Sequence, residues 1–182
     1  MQAGANSPVL VVTGAAGSGK STLGRALARA LRAPLIDLDS MTNPLLDELG
    51  PALGSEHWNS PGPMSERIRR GRYASLRAAA SDLVSVGQRP VLVAPFTREL
   101  AGGDEWAALM GSVWPREVRV VYLTGPATVF EQRRRQRGAE RDRHRVAATS
   151  PDRRPAIPHL ELDATTGTDE LVDLVLAAFE AG

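Results

Sequence analysis

The chain has 182 residues, 42 % of them hydrophobic, with a formal net charge of +1. That is enough apolar chain for one sheet core, and too small a charge imbalance to indicate nucleic acid or a membrane surface by itself. It contains no cysteine, which excludes a disulfide framework, a thiolate metal site and a thiol nucleophile.

In chain order, Val9-Leu10-Val11-Val12-Thr13 predicts a buried strand. It runs into Gly14-Ala15-Ala16-Gly17-Ser18-Gly19-Lys20-Ser21, which fits G-x-x-x-x-G-K-[ST], the phosphate-binding P-loop. Lys20 is the sole lysine of the chain, whose other fixed positive charges are all arginine. A compact, rotatable ammonium at this position marks a task that a planar guanidinium does not serve. A helix is predicted to follow from Ser21, with Leu23, Ala26, Leu27, Ala30 and Leu31 on its apolar face. Backbone N–H groups from Gly14 to Thr22 are expected to wrap a polyphosphate. Lys20 would reach the β- and γ-phosphates, and the Ser21 hydroxyl would bind Mg²⁺.

Pro34-Leu35-Ile36-Asp37-Leu38-Asp39 predicts a second, short strand whose alternation puts Asp37 and Asp39 on one side, near the phosphates. Residues 41 to 63 show no clean period and predict short helices and loop. A long helix is predicted from Met64 to Val86, with Ile68, Leu76, Ala79, Ala80, Leu83 and Val86 inward and Gly87 as its stop. Pro90 to Ala94 is the predicted third strand and Glu117 to Leu123 the fourth. A helix from Ala127 to Arg137 leads into an arginine-rich stretch. Ile157 to Leu162 is the fifth strand, and Thr168 caps a final helix with Leu171, Val172, Leu174, Val175 and Phe179 inward. Strands alternating with helices predict a three-layer α/β/α fold on a parallel sheet, with ligands at the carboxyl ends of the strands. No linker or repeat divides it, so one domain over 1–182 is expected. No apolar run approaches the roughly 20 residues that span a bilayer. The N-terminus lacks a basic region followed by a long apolar stretch, so a cytoplasmic location is expected.

The P-loop serves motors, GTPases and kinases alike. An N-K-x-D base-reading motif is impossible here because the one lysine is already used. Motor-type ATPases need an acid ending an apolar strand. The third strand runs Val91-Leu92-Val93-Ala94-Pro95-Phe96 and the fourth ends Tyr122-Leu123-Thr124-Gly125, neither with one. The acids cluster instead at Asp37-Leu38-Asp39, which favours a small kinase.

Four features in order carry a resemblance: the P-loop, Asp37-Leu38-Asp39-Ser40, the arginine helix Glu131-Gln132-Arg133-Arg134-Arg135-Gln136-Arg137, and Leu160-Glu161-Leu162-Asp163-Ala164-Thr165. Over nearly its whole length the chain resembles the small-molecule P-loop kinases that include shikimate kinase, gluconate kinase and chloramphenicol phosphotransferase. The resemblance implies a five-stranded sheet in order 2-3-1-4-5 with an arginine-rich lid at about 138–155 and an acceptor region at about 40–75. It implies ATP and Mg²⁺ as cofactors and a hydroxyl on a small metabolite or antibiotic as phosphate acceptor. Asp39 is the candidate general base and Asp37 the candidate metal-shell acid, roles that are interchangeable at this level. Each is also a plausible turn or helix-capping carboxylate.

Arg133, Arg137 and Arg141 are candidate nucleotide contacts, one stacking on the base and another on phosphate, with Arg137 placed in the catalytic set beside Lys20 and Asp39. Thr165 stands where this group packs adenine. Candidate acceptor contacts are Asp39, Arg72, Tyr73, Phe96, Thr97 and Arg98, although Arg69 and Arg72 read equally well as helix surface. Trp58, Trp106 and Trp114 read as packing residues, with Trp58 beside His57 the exception to watch. The arginine-rich segment holds no aromatic platform, which argues against nucleic acid. The expected partners are a nucleotide and a small acceptor, the chain being monomeric or homodimeric. A nucleoside or nucleotide kinase, and a regulatory module that grips ATP without transfer, are the competing readings.

Overall fold

The computed structural model describes residues 8–52, 62–137 and 154–180. In it the apolar run Val9–Gly14 forms β1 and is buried along its whole length. A strand reads as continuously apolar, without alternation, when both of its faces are covered. It leads through the glycine-rich loop to α1 (Lys20–Leu31), then β2 (Leu35–Asp37) and α2 (Leu38–Leu49). After these come α3 (Pro63–Ser85), β3 (Val91–Val93), α4 (Gly103–Ser112), β4 (Val118–Thr124), α5 (Ala127–Arg137), β5 (Leu160–Asp163) and α6 (Thr168–Glu180).

The five strands form one sheet in the order β2-β3-β1-β4-β5, every neighbouring pair parallel. This is the order that the resemblance implied. The register aligns Val12 with Val93 and with Val121, Asp37 with Val93, and Thr124 with Asp163. All five carboxyl ends therefore reach one edge, where the P-loop, Asp37, the turn at residues 95–98 and Thr165 follow their strands.

Alternation divides the strand side chains between two apolar layers. Val9, Val11, Leu92, Val120 and Tyr122 share a cluster with Leu76 and Ala80 of α3 and Leu109 of α4. Leu10, Val12, Val93, Val121 and Leu123 share the other with Leu23 and Leu27 of α1 and Leu171 and Val175 of α6. Each buried leucine or valine contributes about 1.5–3 kcal/mol. Where α1 crosses β3, an added Cβ on Gly24 would lie 2.3 Å from Val93 Cγ2. Mid-helix glycine costs up to about 1 kcal/mol against alanine, so the close approach is what requires it here. Gly24→Ala is expected to lower stability by about 1–3 kcal/mol despite its better helix propensity. Urea unfolding should show a lower midpoint at an unchanged slope.

Several local expectations need correction. Residues 38–49, read as a strand end followed by short helices and loop, form one 12-residue helix that contains Pro44. Asp39 therefore sits in a first helical turn, not on a strand beside Asp37. Val86 is 70 % exposed and Leu174 45 % exposed, so both leave the faces assigned to them. In α1, Ala28 and Gly24 are buried where Ala30 was expected. α4 was not anticipated; its Trp106 packs on the core, whereas Trp114 is 79 % exposed. His57, Trp58 and Arg141 lie outside the described residues, as does the expected lid through residue 153. Among the described residues no helix is long and apolar enough to cross a membrane.

Candidate active site

The loop after β1 is held from outside by α5. A Cβ on Gly17, whose φ is +89°, would lie 2.4 Å from the Phe130 carbonyl oxygen, so only glycine lets the helix come so close. One turn onward, Arg134 donates to the Ala16 carbonyl at 3.0 Å, and Arg133 to the Ser18 carbonyl at 3.5 Å. Guanidiniums on the loop's carbonyls hold it from its acceptor side. Lys20 Nζ reaches back across the loop to the Ala15 carbonyl at 3.4 Å.

The loop ends at Gly19, the N-cap of α1, with φ +92° and no side-chain cap; no acid stands in the first turn. The first N–H groups of a helix lack intrahelical partners and carry its positive end, a natural seat for an anion. Beside them, the Ser18 hydroxyl is buried and has no hydrogen-bond partner, alone in this among the described side chains. A buried polar atom left this way costs about 1–3 kcal/mol unless something bonds to it. The donors, the glycine-shaped loop and the unpartnered hydroxyl together fit a polyphosphate. For a metal, the described residues hold no group of three or more His, Asp or Glu in ligating range. A Mg²⁺ ion carried by a polyphosphate would need only phosphate and water oxygens with one hydroxyl, such as that of Ser21.

At the end of β2, Asp37 is buried and extended (φ −98°, ψ 117°) and caps α2: its Oδ1 accepts from the N–H of Asp39 at 3.1 Å and of Ser40 at 3.4 Å. The capping reading applies to Asp37. Its cap fixes the first turn that carries Asp39. Across from it, Arg72 of α3 is only 13 % exposed. Its Nη2 donates to Asp39 Oδ1 at 2.6 Å and to Asn43 Oδ1 at 2.9 Å, and its Nε to Thr42 Oγ1 at 2.7 Å. The Thr42 hydroxyl in turn donates to the Leu38 carbonyl, which turns its lone pair toward Arg72. Arg72 is therefore packed against α2 beside Asp39 and is not open helix surface. Asn43 and Thr42 are participants that the sequence reading missed; their i+3 and i+4 spacing from Asp39 becomes a signal only once residues 38–49 are known to be helical.

Two of the expected acceptor contacts belong to the core instead. Phe96 is fully buried with φ +47°, and Tyr73 is almost so. Their rings meet edge-to-face at 5.7 Å, and the Phe96 N–H donates to the Tyr73 hydroxyl at 2.9 Å. Burial pushes that phenol well above its ordinary range, with the nearby Glu99 adding to the shift. Thr97 and Arg98 do face solvent past β3. Arg98 lies beside Glu66 at 2.5 Å and Glu105 at 3.7 Å. Behind them Glu99, 1 % exposed, takes two hydrogen bonds of 3.1 Å from Arg69, whose guanidinium covers the Tyr73 ring at 4.5 Å. Thr13 Oγ1, donating to the Pro95 carbonyl at 2.8 Å, ties the start of the P-loop to this same turn.

On the far side of β1, the second amino group of Arg133 donates to the Ala164 carbonyl at 3.0 Å, so this arginine bridges the P-loop and the turn after β5. In that turn Asp163 accepts from the N–H and the hydroxyl of Thr165, both at 2.8 Å. Those bonds, the backbone one first, hold its carboxyl below the usual carboxylate range. Of Arg137 the backbone is described, at the end of α5, and not the side chain.

Comparison with known proteins agrees with this arrangement. A family model described as an AAA domain matches residues 9–152. Shikimate kinase of Corynebacterium efficiens is 33 % identical over 144 residues, covering 79 % of this chain and 72 % of that protein. The chain belongs to the P-loop small-molecule kinase family. Shikimate kinase of Corynebacterium glutamicum is 35 % identical over 98 residues, covering 54 % of this chain, and the match spans 55 % of that relative's length. Among solved structures, one from Chloroflexus aurantiacus superposes with a TM-score of 0.73 at 22 % identity, covering 98 % of this chain and 100 % of that one. At that identity the likeness speaks for the fold. Membership of a P-loop kinase family implies the binding of ATP.

Proposed function

We propose that this chain is an ATP-dependent kinase that transfers the γ-phosphoryl group to a hydroxyl of a small molecule. The observation that carries the reading is the uncapped N-terminus of α1, with its buried and partnerless Ser18 hydroxyl, at the same sheet edge as a helix-mounted aspartate. Phosphoryl transfer demands little covalent chemistry of a protein, and positioning and charge neutralisation supply most of the rate. Magnesium-bound ATP supplies the phosphoryl group and neutralises part of its charge.

The backbone of Gly14, Ala15, Ala16, Gly17, Ser18 and Gly19 wraps the phosphates, with the N–H groups of Lys20, Ser21 and Thr22 closing the cradle. Lys20 turns from the Ala15 carbonyl to the transferring group. Ser21 is assigned to the metal and Asp37, through its cap of α2, to the edge of the metal shell. Asp39 accepts the proton of the attacking hydroxyl. Arg133 and Thr165 flank the base, while Arg137 and Arg141 belong to a lid that excludes water and brings positive charge to the nucleotide. Thr97 and Arg98 border the acceptor.

The test is ADP formation from ATP in magnesium buffer across a library of hydroxylated metabolites and antibiotics. Acceptor-dependent ADP formation is expected, and Lys20→Ala should reduce it by roughly 10²-fold, the scale of removing one preorganised charge-stabilising donor. Calorimetry that detects no affinity for any purine triphosphate would defeat the proposal.

A further inference from the structure

Along the last turns of α5 the side chains divide. Glu131, Gln132, Arg135 and Gln136 are exposed, whereas Arg133 and Arg134 are half-buried. Arg135 pairs with Glu131 on its own helix and is 78 % exposed. Arg134 turns the other way, and its guanidinium donates to the Ala16 carbonyl at 3.0 Å, in the middle of the glycine-rich loop. The resemblance assigns nucleotide contacts to Arg133, Arg137 and Arg141 and none to Arg134.

The Ala16 carbonyl shares one rigid plane with the N–H of Gly17. In a trans peptide, as this one is, the two point in opposite directions. A donor that fixes the carbonyl therefore fixes the N–H as well. The carbonyl faces α5, so the Gly17 N–H faces away from it, to the inner side of the loop. Gly17 itself cannot hold that plane. It is glycine because a Cβ would meet the Phe130 carbonyl oxygen at 2.4 Å, and at φ +89° a residue without a side chain turns easily. A reversed plane would present an oxygen, not an N–H, to a bound anion. Hydrogen bonds from a charged donor are roughly twice as strong as neutral ones, which makes an arginine an effective brace for a soft peptide.

Resting on the kinase reading above, we infer that Arg134 is a positioning residue of the phosphate cradle: through the Ala16 carbonyl it keeps the Gly17 N–H turned toward the nucleotide. It acts without touching the nucleotide. Backbone N–H groups of such a loop cradle the α- and β-phosphates, which ATP and ADP both carry, so the two depend on Arg134 alike. A guanidinium set directly on the γ-phosphate would serve ATP alone.

The experiment compares Arg134→Ala with Arg135→Ala in the full chain, since each removes one positive charge from the same helix. The Gly17 amide signal in the ¹H–¹⁵N NMR spectrum of the nucleotide-free protein is read first. It is expected to shift in Arg134→Ala and to stay in place in Arg135→Ala; a Gly17 signal unmoved in Arg134→Ala overturns the inference. Calorimetric titration with ATP and with ADP in magnesium buffer follows. Arg134→Ala is expected to weaken both by about tenfold, the lower end for losing a hydrogen bond to a charged group, and Arg135→Ala to weaken neither. A loss confined to ATP, a loss shared by Arg135→Ala, or no loss at all overturns the inference. Arg134→Lys keeps a donor of similar reach and should recover most of the affinity, whereas a lysine variant as weak as the alanine one counts against a brace. The kinase reading fails on a different observation, the lack of ATP affinity in the parent chain, and the Gly17 signal is legible with or without nucleotide.

Discussion

Asp39→Asn is expected to lower kcat by roughly 10²–10⁴-fold, the span assigned to a positioned general base, while affinity for ATP is nearly unchanged. The substitution is informative because of where Asp39 sits. Its Oδ1 accepts from Arg72 at 2.6 Å, and the asparagine amide keeps an oxygen for that bond. The first turn of α2 is capped by Asp37, not by Asp39, so the helix start is untouched. What the substitution removes is the ability to take a proton. Loss of the charge-assisted bond should cost no more than about 1.5–3 kcal/mol, leaving a folded protein to measure. The check is ADP formation at saturating ATP and acceptor, beside calorimetric titration of ATP. Turnover above about a tenth of the parent's, with ATP affinity intact, would move the base elsewhere, and Asp37 would be next in line. A loss of ATP affinity instead would mean that Asp39 serves the metal and that the two acids have exchanged roles.

The features most legible in the sequence were those set by one local rule. The P-loop needs glycine at fixed offsets, a lysine and a hydroxyl, and these stand together between an apolar strand and an amphipathic helix. The alternation of strands and helices gave the parallel layers, and α5 and α6 begin where their signals place them. What was not legible depends on partners distant in the chain. Residues 38–49 form a helix in spite of Pro44, because Asp37 caps the first turn while Arg72, roughly 30 residues away, ties down Asp39, Thr42 and Asn43. No periodicity records that. Phe96 was expected at the acceptor because it stands just past the third strand, and Tyr73 because its helix covers that strand end. Their burial follows from a hydrogen bond and a ring contact spanning 23 positions. The functions of Arg69 and Arg72 were ambiguous for a related reason. Whether an arginine on a helix is surface or site is decided by which carboxylates the fold brings opposite, and those sit on α2, on the turn before α4 and on α4 itself.

That turn supplies the second large effect. Glu99→Ala should destabilise the chain by about 3 kcal/mol, the lower end for breaking a buried ion pair, because Arg69 keeps Glu105 at 3.4 Å when its main partner goes. Glu99 is 1 % exposed, so its removal also leaves an unfilled space beneath the β3–α4 connection. Glu99→Gln should cost less, since the amide oxygen still accepts from Arg69. The carboxyl itself is raised above its ordinary value of 4.5, chiefly by burial, even with Arg69 opposing the shift. A carboxyl raised on folding binds its proton more tightly in the folded chain than in the unfolded one. Its contribution to stability is therefore full below about 4.5, declines as pH rises through that value, and levels off above the native one. The Gln variant lacks this titration. Urea unfolding of both proteins across acidic to neutral pH should show the parent losing its advantage over Glu99→Gln as pH rises. A difference that grows with pH would mean that the pairing with Arg69 outweighs desolvation and that Glu99 is ionised in the folded chain throughout. Loss of acceptor-dependent turnover in Glu99→Gln, with ATP affinity kept, would further tie this buried pair to the acceptor side. Arg69 and Arg72 lie one turn apart on α3, so the helix turn that holds Glu99 is the neighbour of the one that holds Asp39.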